Sequence, residues 1–112
     1  MANVVASGKM RLGVLGSGKG SNFVAIAEAC AAGRVPAEVA VVLSDVAGAG
    51  ILDRARSMGI DARHVSPGAF RTKLDEAAEL EVVRILREAR VDWVVLAGFM
   101  RILKSGFLRA FP

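Results

Sequence analysis

The sequence has one cysteine, one histidine, no tyrosine and three prolines in 112 residues. Cys30 alone supports neither an intramolecular disulfide nor a Cys-x-x-Cys metal or redox site, so the expected setting is a reduced, cytoplasmic one. His64 alone argues against a zinc centre, and no metal is expected. No apolar run approaches the roughly 18 residues that a membrane span needs. Residues 1–10 (MANVVASGKM) lack the apolar stretch of a secretory signal and read as a flexible lead. Aromatic residues make up 5% of the chain, and no basic run is interleaved with them. Nucleic acid is therefore not an expected partner, despite a formal net charge of +4.

What is present is apolar residues in regular order. Hydrophobic residues make up 54% of the chain and charged residues 23%. That balance excludes intrinsic disorder and gives one domain, 11–112, with a core. The positive balance suits phosphate or acidic small molecules.

Short β-branched runs alternate with helical patterns. Residues 12–15 read as a first strand. Residues 21–32 read as a helix with Phe23, Ile26, Ala27 and Cys30 on one face. Gly33 stops it, and Pro36 follows. Residues 39–43 (VAVVL) are a continuous apolar strand of the kind buried on both faces of a parallel sheet. Residues 51–58 form a helix with Ile51, Ala55 and Met58 inward and Gly59 at its end. A third strand covers 62–65. The longest helix, 74–90, buries Ala78, Val82, Ile85, Leu86 and Ala89. A fourth strand covers 93–97 (WVVLA), and Ser105 opens a last short helix.

This order implies an α/β fold: a doubly wound parallel sheet with right-handed crossovers and strand order 3-2-1-4. Such sheets bind ligands at the carboxyl ends of the strands, where the strand order reverses. Here that point lies between strands 1 and 4, which selects residues 16–22 and 98–103 before any motif is considered.

The first of these, Gly16-Ser17-Gly18-Lys19-Gly20-Ser21-Asn22, leads from strand 1 into helix 1. Glycines let backbone N–H groups approach an anion, and the helix presents its positive end at the same place. Ser21 and Asn22 add side-chain donors and Lys19 adds charge. A monophosphate site is the expectation; the plainer alternative is a tight turn with Ser21 as N-cap. The segment also matches the start of a P-loop from Gly13, but Gly20 stands where the magnesium-binding hydroxyl is required. The GxGxG spacing misses the GxGxxG dinucleotide fingerprint, and Asp45 reads as a turn residue rather than a ribose ligand. The second segment, Gly98-Phe99-Met100-Arg101-Ile102-Leu103, could line a flat apolar pocket with one charged contact. Phe99, Ile102 and Leu103 would serve equally well to plug the end of the sheet.

Together, SGKGSN at 17–22 and LAGFMRIL at 96–103 resemble the phosphoribosylglycinamide formyltransferase family, over about Met10 to Pro112. The resemblance implies a Rossmann-like formyltransferase fold. It implies transfer of a formyl group from 10-formyltetrahydrofolate, as co-substrate, to the amine of glycinamide ribonucleotide in purine biosynthesis. Gly20, Ser21 and Asn22 would hold the substrate phosphate. Met100, Arg101, Ile102 and Leu103 would border the folate, with main-chain groups reading the pterin. Lys73, or else Arg71, would supply a basic contact to it. The family's catalytic Asn and His, in Asn-x-His-Pro-Ser, and its later Asp have no counterpart in these 112 residues. No catalytic residue is therefore assigned, and the chain by itself is expected to be inactive. His64 and Cys30 are expected to be structural. Two alternatives stand beside this reading: a phosphate- or nucleotide-binding module without chemistry, and a related folate enzyme such as a formyltetrahydrofolate deformylase. Ser21-Asn22 after the glycines disfavours the deformylase. Strand 4, apolar on both faces, is expected to leave an open edge through which the chain would dimerise or associate.

Overall fold

A computed structural model describes residues 10–66 and 76–99. In chain order the elements are β1 (Met10–Leu15), α1 (Ser21–Ala31), β2 (Ala37–Ser44), α2 (Gly50–Ser57), β3 (Ala62–His64), α3 (Glu76–Glu88) and β4 (Trp93–Leu96). All three strand pairings are parallel, and the order is β3-β2-β1-β4, as the sequence predicts. Met10 belongs to β1, opposite Ala37, and not to the lead.

Alternate residues of β1 and β2 face opposite layers, which is why residues 12–15 and 39–43 of these strands carry no polar side chain. Leu15, Val41 and Leu43 pack against Ala78, Val82, Ile85 and Leu86 of α3. On the other face, Val14 and Val42 meet Phe23 and Ala27 of α1 and Ile51, Leu52 and Ala55 of α2. Two inward residues differ from expectation. Met58 lies past the end of α2 as its C-cap and is exposed, whereas Leu52 is fully buried. The helix touches α1 as well as β2 and β3, so its apolar face is wider than one stripe. Glu79 of α3 is also buried. Residues 74 and 75, and the short helix expected after Ser105, lie outside the described residues.

The three helices among the described residues end in the same turn. In α1, Arg34 N–H donates to Ala29 O and Gly33 N–H to Cys30 O, with Gly33 at φ 79°. In α2, Ile60 N–H donates to Ala55 O and Gly59 N–H to Arg56 O, with Gly59 at φ 75°. In α3, Val91 N–H donates to Leu86 O and Arg90 N–H to Arg87 O, but the left-handed position holds Arg90, at φ 58°. These are Schellman closures, and the left-handed residue is ordinarily glycine. A non-glycine residue there costs roughly 1–2 kcal/mol. Arg90→Gly is therefore expected to raise stability by about 1 kcal/mol in urea unfolding, with the m-value unchanged; a lower midpoint would show that the Arg90 side chain contributes more than its backbone costs.

One residue fastens the amino end of the sheet. The Arg11 guanidinium donates to Glu38 Oε2 at 2.6 Å and to Ala89 O at 2.9 Å, while Arg11 N–H donates to Asp92 Oδ2 at 2.9 Å. It thereby ties the end of α3 and the start of β4 to β1 and β2. Arg84, on the solvent face of α3, pairs with Glu81 and Glu88, and its hydrogen bond holds Glu81 below the usual carboxylate range.

Candidate functional site

The two segments selected by topology meet at the carboxyl end of the sheet. Ala97 N–H donates to Leu15 O at 2.8 Å, and Ser17 N–H donates to Gly98 O at 3.2 Å. The exit of β4 therefore lies directly against the loop after β1.

That loop ends in an open helix start. Gly20, at φ 87°, is the N-cap of α1, and Val24 N–H donates to its carbonyl at 2.9 Å. No side chain caps the helix, and no acid stands in its first turn. Ser21 is the first helical residue, which rules out its role as the cap. Lys19, Ser21 and Asn22 are exposed, and Gly20 is half-buried. The first-turn N–H groups have no intrahelical acceptor by the geometry of a helix, and they carry the positive end of its dipole. With a hydroxyl, an amide and an ammonium group around them, they can receive an anion.

The glycines of the loop are of two kinds. A Cβ on Gly20 would lie 2.8 Å from Ile51 Cα, and the positive φ is unfavourable for any other residue. A Cβ on Gly16 would lie 2.5 Å from Ile51 Cδ1 and 2.9 Å from Ala97 O. Both glycines therefore let the start of α2 pack into the loop, and Ile51 N–H donates to Gly18 O at 3.0 Å. Gly18 has open space around it and is exposed. Gly13 lies within β1, where a Cβ would meet Leu86 Cδ2 at 2.5 Å. It serves helix–sheet packing, and the P-loop match is coincidental.

Asp45 is more than a turn residue. It is 7% exposed, and its Oδ1 accepts a hydrogen bond from Ser17 Oγ at 2.6 Å. The partners are 28 residues apart, and the only sequence signal was an acid placed directly after an apolar strand.

Phe99 is half-buried and packs on the α3-side core, over a cavity of about 10 Å³ that Leu15, Leu43 and Val82 also line. Phe99 thus packs at the sheet end; Ile102 and Leu103, named with it in that reading, are not among the described residues. Met100, Arg101, Ile102, Leu103, Lys73 and Arg71 lie outside the described residues. His64 is exposed on β3, at the sheet edge remote from β4. Cys30 is buried against Leu12 and Ala37. A groove of about 240 Å³ beside it, which Met58 and Ile60 also line, opens at the amino end of β2, away from both loops. Among the described residues no cluster of three or more His, Cys, Asp or Glu could hold a metal ion, and no helix is long and apolar enough to cross a membrane.

The family model described as formyl transferase matches residues 10–112. The phosphoribosylglycinamide formyltransferase of Escherichia coli is 40% identical over 99 residues, covering 88% of this chain and 46% of that protein. The trifunctional purine biosynthetic protein adenosine-3 of Drosophila pseudoobscura is 42% identical over 103 residues, covering 90% of this chain and 7% of that protein. The crystal structure of glycinamide ribonucleotide transformylase 1 from Symbiobacterium toebii superposes with a TM-score of 0.86 at 43% identity, covering 95% of this chain and 49% of that one. The chain thus spans about half or less of the length of these proteins.

Proposed function

This chain belongs to the formyl transferase family, and we propose that it supplies the phosphate site and part of the folate site of a glycinamide ribonucleotide formyltransferase. The reaction would move a formyl group from 10-formyltetrahydrofolate to the substrate amine, in purine biosynthesis. The observation that carries this reading is the uncapped, acid-free start of α1, with Ser21 and Asn22 exposed beside the exit of β4.

In this reading the phosphate sits at the first turn of α1. Backbone N–H groups from Gly20 onward and the side chains of Ser21 and Asn22 hold its oxygens, and Lys19 adds a positive charge. The ribose and amine then extend along the sheet end toward β4. There residues 100–103, with Lys73 or Arg71, would border the folate. Oxyanion stabilisation and proton transfer fall to the family's Asn, His and Asp, which these 112 residues do not contain. The assembly belongs in the cytoplasm, where Cys30 stays a buried free thiol. Among the described residues β4 pairs only with β1, and its other edge would accept a further strand, from a second copy or another chain.

Titration with glycinamide ribonucleotide tests the reading. Ser21→Ala is expected to weaken binding by about 1–3 kcal/mol, the worth of a hydrogen bond to a charged group. Calorimetry showing equal affinity for parent and variant would remove Ser21 from the phosphate site.

A further inference from the structure

We propose that Asp45 is a positioning residue for the anion loop, acting through Ser17. The proposal rests on the phosphate reading of residues 16–22. Three of the five residues from Gly16 to Gly20 are glycines, so the free loop has unusual backbone freedom. An untethered loop would have to be ordered at the moment of binding, and affinity would fall accordingly.

The loop is tethered at successive residues. Gly16 N–H donates to Leu43 O at 3.0 Å, Ser17 N–H to Gly98 O at 3.2 Å, and Gly18 O accepts from Ile51 N–H at 3.0 Å. To these main-chain bonds the Ser17–Asp45 pair adds a side-chain tether. At 2.6 Å, the hydroxyl-to-carboxylate bond lies in the short, charge-assisted range.

Asp45 is itself well placed to hold the loop. It directly follows β2, and Ser44, 1% exposed, accepts a hydrogen bond from Val46 N–H at 3.1 Å across the same turn. A largely buried acid near an anion site is electrostatically adverse, and the bond to Ser17 is one of the contacts that hold it there. The bond also separates the roles of the two serines. A hydroxyl has one proton, and that of Ser17 is directed at Asp45. Ser17 therefore shapes the loop, while the exposed Ser21 remains to donate to the ligand.

The test measures binding of ribose 5-phosphate by calorimetry and amide hydrogen exchange at residues 17–20, on the parent and four variants. Asp45→Ala should raise the Kd about tenfold, the loss of one such bond, and speed exchange in the loop while exchange in β2 and α3 stays at parental values. Asp45→Asn keeps an acceptor oxygen and should restore both readouts to within about twofold of the parent. Ser17→Ala should weaken binding in the same direction as Asp45→Ala, and the double variant should cost less than the sum of the two, because they share one bond. Parental affinity and loop exchange in Asp45→Ala would overturn the proposal and leave the phosphate reading standing, as would full additivity in the double variant. A parent chain that does not bind ribose 5-phosphate would overturn the phosphate reading, and the proposal with it.

Discussion

Gly20→Val is expected to lower stability by about 2–5 kcal/mol and to abolish binding of phosphate esters. Two independent costs combine. A β-branched residue is a poor occupant of φ 87°, at roughly 1–2 kcal/mol. The added side chain would also start 2.8 Å from the Cα of Ile51, which is backbone of α2 and fully buried, so relief requires moving a helix, at roughly 1–3 kcal/mol. Gly18→Ala is the matched comparison. Its Cβ meets nothing within 4 Å, so stability should stay within about 0.5 kcal/mol of the parent. Urea unfolding of the two variants would decide the matter, and a Gly20→Val midpoint equal to that of Gly18→Ala would contradict the packing described for the loop.

The 112-residue chain assayed by itself with glycinamide ribonucleotide and 10-formyltetrahydrofolate is expected to show no formyl transfer. Removing one oxyanion donor typically costs roughly 10²–10³ in rate, and the Asn-x-His-Pro-Ser motif that the family resemblance implies has no counterpart in these 112 residues. Turnover near that of an intact formyltransferase would mean that the chemistry uses residues within the chain. The same preparation should self-associate. On β4, Trp93 is 59% and Leu96 56% exposed, and among the described residues the strand pairs only with β1. A hydrophobic strand with one free edge is a template for a further strand. Light scattering over a concentration series should show growing mass; a monomer at every concentration would show that the edge is protected.

The strand order, the place where the two loops meet and two of the three helix ends were legible in the sequence. Residues 39–43 are apolar without a break because β2 is covered by helices on both faces, and Gly33 and Gly59 stand where left-handed turns close α1 and α2. The end of α3 was not legible in the same way, because Arg90 occupies a position where the sequence rule looks for glycine. Leu52 was missed because the width of a helix's apolar face depends on how many partners it packs against. The Ser17–Asp45 bond joins residues 28 apart, which no local pattern encodes. The glycines of the loop were expected to let the backbone approach an anion; at Gly16 and Gly20 the body in close approach is Ile51 of the same chain.

The central claim is that a phosphate ester binds at the first turn of α1, beside the exit of β4. Amide chemical-shift mapping during titration with glycinamide ribonucleotide tests it most directly. The largest saturable shifts should fall on Gly18 to Phe23, with smaller ones at Ala97 and Gly98. Shifts confined to the groove beside Cys30, or none at millimolar ligand, would contradict it.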